Sequence, residues 1–151
     1  MKSDGNRHRK NDLKHMSVPE ERRGALWWLQ EFGIAERDVT SASGMADGAD
    51  TEMLQAVAMH LLDKRLDRLA LVDDTCDAIL SDLRGINPEL AELAERYYIR
   101  HETLAELANE RGVSVSEIYS YLARRLENRP VPAMPRLAQA RGRHERRETG
   151  A

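Results

Sequence analysis

The chain has 151 residues, 41% of them hydrophobic and 5% aromatic, which suits one modest core with helical extensions. A single cysteine, Cys76, excludes an intramolecular disulfide, and scarce aromatics without β-branched runs argue against a sheet protein. The net charge of -3 conceals a segregation: residues 1–16 carry five Lys/Arg against two acids, residues 17–123 carry 10 against 21, and residues 124–151 carry eight against three.

An acidic body with basic ends directs any contact with a polyanion towards the ends. No run of about 18 apolar residues occurs, and the N-terminal stretch lacks the apolar segment of a secretion signal. A soluble cytoplasmic protein with no membrane partner is expected.

Residues 1–16 have no apolar periodicity and read as a disordered basic arm. Ser17 and Glu20 bracket Pro19 as a capping box, predicting a helix from there to Phe32 that Gly33 ends. Within it the paired Trp27 and Trp28 either pack internally or form a protein interface, tryptophan being enriched at interface hot spots. The small, turn-prone residues 40–50 predict a linker inside the helical region 17–86.

From Asp50, a candidate N-cap, apolar residues recur at spacings of three and four: Leu54, Val57, Leu61, Leu62, Leu66, Leu69, Val72, Cys76, Ile79, Leu80 and Leu83. They predict a long helix closed by Gly85, with a bend or break near Asp73–Thr75. Such a seam suits packing against the N-terminal helix, or pairing with a second copy in a homodimer. Packing within the chain is the favoured expectation.

Asn87-Pro88-Glu89 combines an N-cap, a first-turn proline and an acid at the positive end of the helix dipole, opening a module at 87–129. Three helices are predicted there, over 88–99, 103–111 and 114–128. The stretch Leu104–Tyr121 carries a helix-turn-helix pattern. Ala108 leaves room where the two helices cross, and Gly112 suits the left-handed residue that ends the first helix. Ser114 and Glu117 make a capping box for the second helix, on which Ile118, Leu122 and Leu126 share a face while Val113 plugs the gap. Pro130, Pro132 and Pro135 end the fold, and the Pro/Arg-rich segment 130–151 reads as a flexible tail. The expected fold is therefore all-α: an N-terminal helix and a long helix packed with a C-terminal three-helix helix-turn-helix module, between flexible basic ends.

Chemistry is sparse. His8, His15, His60, His101 and His144 are scattered away from metal-ligand spacing, and no Gly-rich phosphate loop is present. Asp73, Asp74, Asp77 and Asp82 read as a solvated face or as partners for basic residues, and Cys76 as a buried thiol. No catalytic residue, metal or cofactor is expected. In a helix-turn-helix, base edges are met by exposed residues in the first two turns of the second helix. Here these are Val115, Ser116, Glu117, Tyr119 and Ser120, with Thr103, Arg124, Arg125 and Arg129 available for phosphates. Residues 88–129 hold six Arg against eight Glu, a balance that predicts weak duplex binding by the module alone.

Residues 88–129 resemble region 4 of bacterial sigma factors, the match being carried by Tyr97-Tyr98, Thr103–Ala108, Gly112-Val113-Ser114 and Leu122–Leu126. The overall layout is similar to phage late-gene regulators of the ArpU/RinA type and to short Q-type antiterminators. The resemblance implies a transcription regulator, of phage or mobile-element type, that touches double-stranded DNA, RNA polymerase or both. The arginines and glutamine with which sigma factors read the -35 element are missing from Val115–Ser120, and no sigma region 2 precedes the module. A complete promoter-melting sigma factor is therefore not expected. The alternative is a protein-interaction module that grips RNA polymerase or another regulator with little DNA affinity of its own.

Overall fold

The computed structural model describes residues 14–132, all of whose regular structure is helical. Residues 14–16 form one helical turn and Glu20–Arg22 a 3-10 turn. The main elements are α1 (Ala25–Asp47), α2 (Glu52–Ile86), α3 (Pro88–Ala94) continued by a π-type turn over Glu95–Ile99, α4 (Leu104–Arg111) and α5 (Val115–Glu127). The all-α expectation holds.

The N-terminal half departs from the sequence reading. The helix predicted to end at Gly33 runs on to Asp47, through the segment expected to be a linker. Isolated glycines cost a helix only about 1 kcal/mol each, and burial of Ala35, Ala42 and Ala46 against α2 offsets that cost. The chain reverses within residues 48–51, and Thr51 rather than Asp50 caps α2, its hydroxyl accepting from the Leu54 N–H at 3.1 Å. No break occurs at Asp73–Thr75: Thr75 is buried and donates its hydroxyl to the Leu71 carbonyl at 2.9 Å, so its polar group is satisfied within the helix.

Ser17 does not cap a helix, since its hydroxyl donates to the Lys14 carbonyl at 2.7 Å. The described end of the expected basic arm is packed rather than loose. His15 is buried, stacked on Trp27 at 4.3 Å, and its Nε2 lies 3.0 Å from Glu31 Oε1. Residues 1–13 and 133–151, with most of the predicted arm and tail, lie outside the described residues.

One core joins both halves of the chain. Leu29 and Phe32 of α1, Val72, Ile79, Leu80 and Leu83 of α2, Leu90 and Leu93 of α3, Leu107 of α4 and Ile118, Leu122 and Leu126 of α5 belong to it. Burying each such large side chain contributes about 1.5–3 kcal/mol. Only the second half of the α2 stripe takes part. Leu54, Val57 and Leu66 stay exposed, because alanines of α1 oppose that half and no other described element covers it.

The module is tied to α1 at two points. The Ala25 N–H donates to the Arg129 carbonyl, and His101 stacks on Phe32 at 6.3 Å while its Nε2 meets the Glu36 carboxylate. His101 is also the one non-glycine with a left-handed backbone among the described residues, at φ 59°, where the π-type turn hands over to α4.

Candidate nucleic-acid interface

The helix-turn-helix forms through local chemistry. Thr103 caps α4, accepting from the Glu106 N–H and donating to Glu106 Oε1, both at 3.1 Å. Gly112 ends α4 at φ 67° and ψ 33°, and the Val113 N–H reaches back to the Ala108 carbonyl at 3.0 Å. Ser114 caps α5 by accepting from the Glu117 N–H at 3.1 Å, while the Glu117 carboxylate forms no hydrogen bond among the described residues. That capping box is half formed. Ala108 is buried at the crossing with Leu107 and Ile118, but Val113, expected to plug the gap, remains 38% exposed.

The expected DNA contacts fall into two groups. Ser116, Glu117, Ser120, Arg124 and Arg125 line a shallow depression of about 310 Å³ on one flank of α5, with Arg125 set over the Tyr121 ring at 4.0 Å. Thr103 and Tyr119 line a larger concavity of about 1430 Å³ on the other flank. Val115 lines neither, yet is exposed at the start of the helix. Thr103, whose hydroxyl is engaged with Glu106, is less available to a phosphate than the sequence suggested.

The larger concavity is lined by α1, through Leu26, Gln30 and Ile34, and by residues of the segment from Lys14 to Arg23. Tyr97 and Tyr98 also line it. Burial raises both phenol pKa values, with the neighbouring tyrosines adding to the effect, so these hydroxyls stay protonated donors.

Internal ion pairs engage half of the module's six arginines. Arg96 is clamped by Glu102 at 2.8 Å and Glu110 at 2.6 Å, contacts that raise its pKa and lower both carboxyl values. Arg111 pairs with Glu89 and Arg129 with Asp82. Arg100, Arg124 and Arg125 are left without an ion pair among the described residues.

Trp27 is not offered as an interface. It is buried beneath the Lys14–Arg23 segment, its Nε1–H donating to the His15 carbonyl at 2.7 Å and Arg23 lying over its ring. Trp28 is half-buried against the core, with Arg68 5.5 Å from its ring centre. Nothing in the spacing of the sequence signalled that Lys14 and Arg22 would line the same concavity as Tyr119 of α5, because the chain between them and the module is long.

Other chemistry is limited. Asp73, Asp74 and Asp77 hold carboxylate oxygens within 4.8 Å of one another on α2, and the Asp73 pKa is raised, by burial first and by these neighbours next. Among the described residues no helix is long and apolar enough to cross a membrane. Comparison with protein-family models, with curated proteins and with solved structures returns no match.

Proposed function

We propose that this protein is a cytoplasmic transcription regulator that binds double-stranded DNA through α4, the Gly112 turn and α5, together with RNA polymerase, in the manner of phage or mobile-element regulators. One observation carries the reading. The turn leaves Val115, Ser116 and Tyr119 exposed at the start of α5, and the hydroxyls of Ser116 and Tyr119 form no hydrogen bond among the described residues. Free hydroxyls and an exposed apolar side chain in the first two turns of the second helix are what a base-reading helix needs. Selection from a randomised duplex pool by the full chain tests it. Enrichment of a sequence that is lost in Ser116→Ala/Tyr119→Ala supports base reading, and failure to enrich any sequence overturns it.

A second reading is favoured by the consumption of Arg96, Arg111 and Arg129 in internal ion pairs. Here the same helices grip RNA polymerase or another regulator, antiterminator-fashion, and DNA affinity is small. Capture of purified polymerase by the full chain, without duplex binding at low salt, distinguishes this alternative.

A further inference from the structure

We propose that the concavity beside α5 seats one phosphate backbone of a duplex whose major groove holds that helix, with Lys14 and Arg22 supplying its phosphate contacts. The inference rests on the DNA reading above and names the part of the chain that reading lacks. A helix with its side chains is about 10–12 Å across and a major groove about 12 Å wide, so the two sugar-phosphate strands run along the two flanks of an inserted helix. One flank of α5 carries Arg124 and Arg125. The other is the concavity, whose lining brings together Tyr119, Lys14 and Arg22.

Charge complementarity selects this occupant. Lys14 and Arg22 are exposed and form no ion pair with a described residue, unlike Arg96, Arg111 and Arg129 of the module. Of the acids on the lining, Glu102 is paired with Arg96, leaving Glu21 and Glu127 against Lys14, Arg22 and Arg23. The protonated phenols of Tyr97 and Tyr98 add donors but no charge. Phosphate neutralisation supplies most of the affinity of a duplex binder, and half of the module's six arginines are held in internal ion pairs.

The segment carrying Lys14 and Arg22 is also held in place. The Trp27 Nε1–H donates to the His15 carbonyl, Ser17 Oγ to the Lys14 carbonyl and Arg23 Nε to the Val18 carbonyl, which fixes the backbone carrying both cations. Cations on an anchored wall lose less entropy on meeting a phosphate than cations on a loose arm. Their side chains remain free, so replacing them removes charge while leaving the packing of the fold intact.

The test is fluorescence anisotropy of the full chain with a labelled random-sequence duplex, titrated at several salt concentrations. For Lys14→Gln/Arg22→Gln the slope of log K against log salt should become shallower by about 1.8, at about 0.9 for each phosphate no longer neutralised. Arg22→Lys should recover its share, and Lys64→Gln, on the exposed part of α2, should keep the wild-type slope. Circular dichroism of each variant checks that the helices persist. An unchanged slope in the folded double variant overturns the inference and leaves the DNA reading standing. Absence of any salt-dependent binding by the wild-type chain overturns both.

Discussion

The backbone N–H of Ala25 donates to the carbonyl oxygen of Arg129 at 2.9 Å, joining the first turn of α1 to the end of the helix-turn-helix. Gly24 makes the junction possible: a Cβ built there would stand 2.6 Å from that same oxygen. The obstacle is backbone and cannot swing aside. Gly24→Ala should therefore cost about 1–3 kcal/mol in chemical denaturation, as overpacking does elsewhere. Unchanged stability would mean that the two segments are not in contact.

Gly112 tests a different property. Its Cβ would meet nothing within 4 Å, so any cost of substitution comes from the backbone at φ 67°. Gly112→Ala should lose about 1 kcal/mol and Gly112→Asn less, because asparagine tolerates the left-handed region better. Equal stability of all three proteins would argue against a left-handed turn at this position.

Glu31 gives the fold an acid-sensitive contact. Burial alone would raise its pKa, but contacts with His15 and Arg68 outweigh it and hold the carboxyl below its ordinary 4.5. A group depressed in this way contributes stability above its unfolded value and loses it as pH falls through the lower folded value. Glu31→Gln should cost about 2 kcal/mol near neutrality. The gap to wild type, followed by denaturation across pH, should hold down to about 4.5 and narrow below it; a gap independent of pH would contradict the assignment.

Cys76 donates its thiol to the Trp28 carbonyl at 3.2 Å, and its pKa is pushed up to about 12, by burial first and by Asp73, Asp77 and Glu31 next. The thiolate is the reactive form. A disulfide reagent should therefore label the folded protein only as fast as it opens, and the denatured protein at once. Immediate labelling without denaturant would show the thiol to be accessible.

Two leucines of one helix should behave oppositely. Leu80 is 2% exposed and Leu54 55% exposed, although both lie on the same predicted stripe. Leu80→Ala should cost about 2–5 kcal/mol and Leu54→Ala under about 0.5 kcal/mol in the same denaturation measurement. Comparable losses would place both in the core.

By itself the sequence determined what is local. The Thr103 and Ser114 caps, the left-handed Gly112, the small Ala108 at the crossing and the buried face of Ile118, Leu122 and Leu126 each depend on neighbours within a few residues. The tertiary structure decided what depends on distant segments. Residues 40–47 have turn-prone composition yet are helical, because α2 gives their alanines a surface to bury against. Val57 and Val72 fit one periodic pattern yet part company, since α1 and the module cover only the second. Trp27 is buried because the chain before it folds back over its ring, and the same fold-back brings Lys14 and Arg22 to the concavity beside Tyr119. Periodicity marks which residues can be buried, but not which partner surface arrives to bury them.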